Sequence, residues 1–109
     1  MSTPLPNKSV RGSKSGVAIM ALFDLLGRKW NMRIIWELKE KPLSFRILQS
    51  QCDNMSPSVL NNRLKQLTQA ELLLSTDEGY KLTDLGQSLM LALNPVRDWS
   101  KHWQQTLSG

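Results

Sequence analysis

The 109-residue sequence predicts a mainly α-helical, single-domain fold with one small β-hairpin. Apolar residues recur three and four positions apart along most of the chain, which is the helical period. Between residues 72 and 82 this period gives way to two short apolar runs around Asp77-Glu78-Gly79. A glycine between two such runs is typical of a hairpin turn that requires a positive φ.

The first two helices are predicted over residues 17–26 and from about residue 29 to residue 40. Gly27 interrupts the pattern between them. Lys41-Pro42 ends the second helix, because a residue before proline is pushed out of the helical region. The apolar residues at helical spacing are Ile19, Leu22, Phe23 and Leu26 in the first helix and, facing inward, Trp30, Ile34, Ile35 and Leu38 in the second.

Two further helices are predicted to follow, joined by a turn at Asp53-Asn54. Ser44 is placed to cap the third helix. Its apolar stripe consists of Phe45, Leu48 and Cys52. The fourth helix, over residues 56–70, opens with Ser56 as its cap and Pro57 at its first helical position.

The fourth helix has two contrasting faces. One face is apolar and consists of Leu60, Leu64 and Leu67. The opposite face has Ser58, Asn62 and Lys65, with Asn61 beside them. All four side chains can donate hydrogen bonds and none is acidic, which suits a helix that reads base edges in the major groove. The alternative is an ordinary solvated face.

After the strand candidates at residues 72–76 and 80–82, Thr83 is placed to cap a last helix. Asn94-Pro95 should kink or divide that helix. Its apolar residues are Leu85, Leu89, Leu93, Val96, Trp99, Trp103 and Leu107. Two short helices joined by a tight turn and followed directly by a hairpin describe a winged helix-turn-helix.

The charge balance favours a polyanionic partner. Lys and Arg number 14 against 9 acidic residues, which gives a net charge of +5 and a pI near 9.7. Nucleic acid and anionic membrane both fit this balance, although many small proteins are basic without a specific reason. The longest apolar-rich stretch, residues 17–26, is too short to span a bilayer, so we expect no membrane partner.

The first fifteen residues are predicted to form a flexible basic arm, because they are rich in Ser, Pro, Asn and Gly and contain no acid. The remaining residues, 16–109, are predicted to form the folded domain. No signal peptide is visible, and the single cysteine, Cys52, allows no intramolecular disulfide. Both observations favour a cytoplasmic protein.

Four segments, in order, resemble elements of the HxlR-type transcriptional regulators. Residues 25–30, Leu-Leu-Gly-Arg-Lys-Trp, resemble their Leu-Leu-Gly-Gly-Lys-Trp element. Residues 45–48 resemble their Phe-x-x-Leu third helix, and residues 56–67 resemble their Ile-Ser-x-x-x-Leu-x-x-Arg-Leu-x-x-Leu recognition region. Residues 80–86, Tyr-Lys-Leu-Thr-Asp-Leu-Gly, resemble their Tyr-x-Leu-Thr-x-x-Gly junction.

The resemblance implies a bacterial, homodimeric winged-helix regulator that binds double-stranded DNA, with the N- and C-terminal helices forming the dimer interface. Three departures matter. Many relatives have a cysteine near the start of the first helix, where this chain has Ser15-Gly16-Val17, so thiol sensing is not expected there. The wing is short and acidic at Asp77-Glu78, and Arg28 replaces a glycine.

DNA contacts are predicted in two groups. The base-reading residues are predicted to be Ser58, Asn61, Asn62 and Lys65. The backbone-contacting residues are predicted to be Arg28, Lys29, Ser44, Arg46, Ser56 and Arg63. For Arg63 an alternative remains open, because this residue lies beside the apolar stripe and could instead pack against a nearby acid.

The dimer interface is predicted to include Leu22, Phe23, Leu93, Val96, Trp99 and Trp103. Trp99 and Trp103 lie four residues apart on an apolar face that is larger than a monomer of this size needs. We prefer this interpretation of the tryptophans to base stacking on single strands. Trp36 lies off the main stripe and could join the same interface.

No catalytic site, metal site or cofactor is predicted. The sequence has no Cys-x-x-Cys pair, glycine-rich phosphate loop or nucleophile elbow, and His102 is its only histidine. Cys52 is interpreted as a buried structural thiol. The prediction is therefore a homodimeric, sequence-specific DNA-binding regulator acting on an inverted repeat, with any small-molecule effector unknown. The alternative is a winged-helix protein-interaction module that does not bind DNA.

Overall fold

The computed structural model describes residues 3–6 and 17–109. Within this part of the chain there are six α-helices and one two-stranded antiparallel sheet. Their bounds are α1 Ala18–Leu26, α2 Asn31–Glu37, α3 Phe45–Gln51, α4 Pro57–Gln69, β1 Leu73–Thr76, β2 Gly79–Leu82, α5 Asp84–Ala92 and α6 Asn94–Ser108. This order confirms the predicted mainly α-helical fold with a hairpin after the fourth helix.

Most of the predicted basic arm, residues 1–2 and 7–15, lies outside the described residues. Residues 3–6 lie within them and pack against the folded domain. Thr3 and Pro4 are buried, and the Thr3 hydroxyl donates a hydrogen bond to the Gln69 side-chain oxygen at the end of α4. This short segment therefore contacts the last residue of the predicted recognition helix.

Three helix starts have the caps that the sequence predicts. The Ser44 Oγ accepts a hydrogen bond from the Ile47 amide at 3.2 Å, and the Ser56 Oγ accepts from the Val59 amide at 3.5 Å. The Thr83 Oγ1 accepts from the Gly86 amide at 3.0 Å. Each bond satisfies one of the backbone N–H groups that a helix start leaves without an intrahelical partner.

The second helix is shorter than predicted, since it covers Asn31–Glu37 rather than residues 29–40. Trp30 has a φ of 80°, which is left-handed, so the helix begins only after it. Leu38 ends the helix at φ −92° and ψ 5°. Apolar spacing continues through Trp30 and Leu38, and for this reason the periodicity overestimates the helix at both ends.

The core forms where α2, α3, α4 and the hairpin meet. All three leucines of the α4 stripe are buried, as are the predicted inward residues of α2 other than Trp30, which is half-buried. The largest fully buried side chains are Ile34, Ile35, Leu38, Leu48, Leu60, Leu67, Leu73, Asn31 and Cys52. Burying Leu60, Leu64 and Leu67 fixes the rotation of α4 about its axis, so its polar face points away from the core.

The hairpin pairs Leu73 with Leu82 and Thr76 with Gly79. Gly79 has a φ of 119°, which confirms the predicted need for glycine at this turn. A Cβ at Gly79 would lie 2.4 Å from the Leu43 carbonyl oxygen, because Leu43 pairs with Tyr80 as an isolated antiparallel bridge. The segment before α3 thus holds the wing against the helical core.

The last predicted helix is divided at Leu93 into α5 and α6, as Asn94-Pro95 suggests. No residue of α6 is buried. Trp36 joins this helix to α2, because the Arg97 guanidinium lies 4.6 Å from its ring centroid. The Lys39 ammonium lies 4.0 Å from the same centroid. Cation–π contacts of this kind keep α6 near the core while leaving its apolar face uncovered.

Candidate nucleic-acid interface

The outer face of α4, defined by Ser58, Asn61, Asn62 and Lys65, is exposed at all four positions. It lies opposite the buried leucine stripe, on the second of two short helices that are joined by a tight turn. Asp53 and Asn54 form that turn with left-handed φ values of 59° and 54°. Asn and Asp tolerate this conformation better than other non-glycine residues, so the predicted turn has a local cause.

The side-chain amide of Asn62 is already hydrogen-bonded within the protein. Its Oδ1 accepts one hydrogen bond from the Arg63 guanidinium at 2.9 Å and another from the Gln66 amide at 3.2 Å. A carbonyl oxygen has two lone pairs, so this oxygen is fully used. Bidentate pairing with adenine needs an acceptor as well as a donor, and in this conformation Asn62 offers only its Nδ2 donor.

The side chains of Asn61 and Lys65 are not held by hydrogen bonds in this way. Within residues 3–6 and 17–109, no side-chain hydrogen bond or ion pair involves either of them. Asn61 can therefore present both halves of its amide, and Lys65 its whole ammonium group. Of the predicted base-reading residues, these two keep all their donors and acceptors uncommitted within the described residues.

Arg63 is half-buried, and its side chain makes two hydrogen bonds within the protein. Its Nε donates to the Lys29 carbonyl oxygen at 2.8 Å, and its Nη1 donates to Asn62. From the sequence, a phosphate contact and packing against an acid are both open for Arg63. The observed partners are a backbone carbonyl and an amide oxygen, and the packing alternative was wrong in expecting an acid.

The other predicted backbone-contacting residues differ in accessibility. Lys29 and Arg46 are exposed. Arg28 is mostly buried, with its Nη2 3.9 Å from the Asp24 carboxylate. Ser44 and Ser56 are exposed but act as helix caps, and the Ser56 hydroxyl also lies 3.0 Å from that of Ser58. Lys29 and Arg46 thus provide the accessible positive charge of this group, and Arg28 is the least suited to reach a phosphate.

The wing tip has the acidic character that the sequence predicts. Asp77 and Glu78 are both exposed. Thr76 shapes the turn, because its hydroxyl donates to the Gly79 carbonyl at 2.8 Å and accepts from the Glu78 amide at 3.2 Å. A negative tip is repelled by phosphate, so the tip of the wing adds no favourable charge to a DNA contact.

Sequence reasoning missed two buried amides behind this interface. The Asn31 Nδ2 donates to the Leu25 carbonyl at 2.8 Å and ties α2 to α1. Gln66 is buried on α4, where its Nε2 positions Asn62. The spacing of four residues between Asn62 and Gln66 is the one available sequence signal, because side chains at that separation meet on a helix.

Cys52 is buried in the core, as predicted. Burial raises the pKa of its thiol, and the nearby Arg33 opposes this only in part. A raised pKa keeps the group as an unreactive thiol near neutral pH. Within the described ranges, no three His, Cys, Asp or Glu residues are grouped as a metal site would need. No helix there is long and apolar enough to cross a membrane.

The two short helices, the exposed donor-rich face of the second and the adjoining hairpin define a winged helix-turn-helix protein of the DNA-binding transcription-regulator class. Residues 25–108 match the family model of the HxlR-like helix-turn-helix. The chain belongs to this family.

Sequence relatives agree with this assignment. The chain is 28% identical over 90 residues to the uncharacterized HTH-type transcriptional regulator MJ0925 of Methanocaldococcus jannaschii, and the alignment covers 79% of this chain and 85% of the relative. It is 29% identical over 85 residues to the HTH-type transcriptional regulator YodB of Bacillus subtilis, covering 72% and 76% respectively.

Solved structures show the same fold. Quinone-bound YodB from B. subtilis aligns with a TM-score of 0.72 at 29% identity, covering 77% of this chain and 94% of that one. A possible HxlR family transcriptional factor from Thermoplasma volcanium aligns with a TM-score of 0.66 at 25% identity, covering 77% and 82%. Both the fold class and the family expected from the sequence are therefore confirmed.

Proposed function

We propose that the protein is a homodimeric regulator that recognises an inverted-repeat operator through the outer face of α4. The observation that supports this most strongly is the set of exposed, non-acidic donors at Ser58, Asn61, Asn62 and Lys65 on a helix whose opposite side is locked into the core. A helix with fixed rotation can present the same side chains to the same base pairs in every complex.

Within this face, Asn61 and Lys65 are the principal base readers. Asn61 pairs with adenine through both its oxygen and its nitrogen, and Lys65 donates to guanine O6 and N7. Asn62 contributes one donor, because its oxygen is held by Arg63 and Gln66. This division gives Asn61 a larger share of the specificity than the sequence pattern alone assigns to it.

Lys29 and Arg46 supply the phosphate contacts, since both are exposed. Such contacts fix the orientation of the protein on the duplex and contain little sequence information. Arg63 acts indirectly, by holding Asn62 and the loop at Lys29 in place. The wing plays a minor part because of its acidic tip.

The second subunit is proposed to cover the apolar face of α6. Val96, Trp99, Trp103 and Leu107 lie on this face and are 54–73% exposed, and Phe23 on α1 is 60% exposed. Soluble monomers rarely expose apolar patches of this kind. Leu22 and Leu93, which were predicted for the same interface, are half-buried and have a peripheral place in it. In a twofold dimer the two α4 helices would enter grooves about 34–36 Å apart, or a multiple of this distance.

Fluorescence anisotropy with the promoter next to the protein's own gene tests the proposal. Asn61→Ala and Lys65→Ala should each weaken specific binding by roughly 1–3 kcal/mol and leave binding to random DNA less affected. Lys101→Ala removes one exposed lysine from α6 and serves as the matched control. Equal losses for specific and random DNA would show that α4 does not read bases.

The acidic wing tip favours a second candidate function, in which the winged helix binds a basic protein partner instead of DNA. Salt separates the two. DNA binding should weaken steeply with salt on any sequence, because bound counterions are released. Loss of partner binding in Asp77→Asn/Glu78→Gln, with no DNA binding at low salt, would favour this candidate.

A further inference from the structure

An apolar cavity of about 330 Å³ lies between α1 and α5, next to the turn that follows α4. Its inner wall includes Leu25 and Leu72, both of which belong to the core. Residues 4–6, Pro-Leu-Pro, line the cavity from the N-terminal side. The cavity is separate from the outer face of α4, and it shares only Leu22 with the dimer interface proposed above.

The sequence makes room for this cavity with small side chains. The chain contains four alanines, and every one of them lines the cavity: Ala18, Ala21, Ala70 and Ala92. Protein interiors are close-packed, so an unfilled volume needs a local cause. Here the cause is that four short side chains surround the same space and do not fill it. Their convergence from α1, α5 and the end of α4 is a property of the fold and is not visible as a sequence motif.

The chemistry of the wall selects a neutral occupant. None of the lining residues is charged, and Ser88 has the one side-chain hydroxyl among them. Its Oγ already donates to the Leu85 carbonyl at 3.0 Å. An ion would lose its hydration without gaining a partner here, so its entry would be unfavourable.

The volume sets the size of the occupant. It is roughly twice the ~150 Å³ of an engineered apolar cavity that binds benzene. It also lies at the lower end of the ~300–1,000 Å³ range of small-molecule pockets. Two fused or linked rings match this space better than a single ring or a long acyl chain.

We propose that this cavity binds a small, neutral, apolar molecule of about two aromatic rings and that its occupancy is transmitted to α4. The connection is physical and short. Ala70 is the residue after α4 and lines the cavity, while Thr3, next to the Pro-Leu-Pro segment, donates a hydrogen bond to Gln69 at the end of α4. An occupant that contacts Pro4 and Ala70 therefore touches the neighbour of Thr3, which is hydrogen-bonded to α4, and the residue that directly follows this helix.

Naphthalene is a suitable probe, and its binding can be followed by ¹H–¹⁵N chemical shifts of the full chain. We expect saturable shifts at residues of α1 and α5, and at least tenfold weaker binding of 1-naphthoate, which has a similar shape and a negative charge. Absence of saturation up to the solubility limit of naphthalene would overturn the proposal. Equal binding of naphthoate would overturn the claim of a neutral site.

Variants locate the site. Ala92→Phe and Ala18→Phe place a ring at exposed positions of the cavity wall, where the fold should tolerate it, and should each weaken naphthalene binding at least tenfold. Gln87→Phe is the control, because Gln87 is exposed on the same helix as Ala92 but does not line the cavity. Unchanged binding in both alanine variants contradicts the assignment. The assignment is also contradicted if both variants change the oligomeric state and the natural chain does not bind naphthalene. That result would mean that a second copy of the chain occupies the cavity.

The coupling has its own test. Naphthalene should slow amide hydrogen exchange at the end of α4, and Thr3→Val should remove at least half of this effect while leaving most of the affinity. An identical slowing in Thr3→Val would exclude this route. An effect on operator affinity rests on the proposed function. If naphthalene binds but DNA does not, the ligand site is supported and the regulator proposal fails. If DNA binds but naphthalene does not, the regulator proposal is supported and the ligand site fails.

Discussion

The Arg63 guanidinium donates to the Lys29 carbonyl oxygen at 2.8 Å and so ties α4 to the loop before α2, 34 residues earlier in the chain. The same group donates to Asn62 on the outer face of α4. A positive charge on a DNA-binding helix is commonly interpreted as a phosphate contact. Here two of its donors are used within the protein, which makes Arg63 a residue that positions the outer face of α4.

Arg63→Ala should therefore lower the free energy of unfolding by about 1 kcal/mol, because the charge-assisted hydrogen bond from a half-buried guanidinium to the Lys29 carbonyl is lost. Specific DNA affinity should fall as well, since Asn62 loses one of the bonds that orient it. Urea unfolding and anisotropy measure the two effects. Arg46→Ala is the matched control, with an exposed arginine and unchanged stability expected. A loss of DNA affinity with unchanged stability in Arg63→Ala would favour a direct phosphate contact.

The features of this fold that could be predicted from the sequence are those that depend on residues close together in the chain. Caps at Ser44, Ser56 and Thr83 and the left-handed turn at Gly79 are decided by neighbours within four residues, and all were predicted from the sequence. The bridge between Leu43 and Tyr80 joins residues far apart in the chain, and no local pattern specifies it.

The same distinction applies to the candidate interface. Periodicity correctly predicted that Asn61, Asn62 and Lys65 are exposed, because the leucine stripe fixes the orientation of α4. Periodicity could not show that the Asn62 oxygen is already occupied, because this depends on the conformations of Arg63 and Gln66. The sequence thus predicted which face of α4 contacts DNA, and the structure distinguishes the residues within that face by their hydrogen-bond partners.

Gly79→Ala should be strongly destabilising. Its φ of 119° disfavours any side chain, and a Cβ would lie 2.4 Å from the Leu43 carbonyl oxygen. We expect a loss of at least about 2 kcal/mol in the free energy of unfolding, since strain and a steric clash act together. Thermal and urea unfolding measure it, with the C-terminal Gly109→Ala as the control. If Gly79→Ala changes the free energy of unfolding no more than Gly109→Ala does, the hairpin can shift away from Leu43 without cost.

Cys52 should make stability depend on alkaline pH. Burial raises the pKa of its thiol in the folded state, so the unfolded chain releases the proton first. The stability linked to the neutral thiol is complete below the unfolded pKa of about 8.5 and is lost as the pH rises through the folded pKa. Urea unfolding at pH 7 and pH 10 should show a larger loss for the natural chain than for Cys52→Ala. An equal loss in both proteins would assign the effect to other groups.

The same burial should protect Cys52 from alkylation. Iodoacetamide reacts with the thiolate, which a buried thiol with a raised pKa forms rarely at neutral pH. Mass spectrometry should therefore find labelling only after denaturant is added. Rapid labelling of the native protein would show that the site opens and that the Cys52 thiol is reactive in the folded chain.

Trp99 and Trp103 give the most direct test of the dimer. Their rings stack with centroids 5.9 Å apart and an interplanar angle of 17°, and both are more than half exposed on α6. Buried tryptophans at interfaces often contribute about 2 kcal/mol or more each, and a twofold interface contains every residue twice. Trp103→Ala should therefore weaken dimerisation by roughly a thousandfold, which corresponds to about 4 kcal/mol.

Sedimentation at micromolar concentration should show a dimer for the natural chain and a monomer for Trp103→Ala. His102→Ala, the adjacent exposed position on α6, is the control and should remain dimeric. Because no residue of α6 is buried in the single chain, Trp103→Ala should leave the core intact. If the variant loses DNA binding together with dimerisation but unfolds normally, the operator requires two α4 helices at once. A natural chain that sediments as a monomer would leave the apolar face of α6 to a different partner.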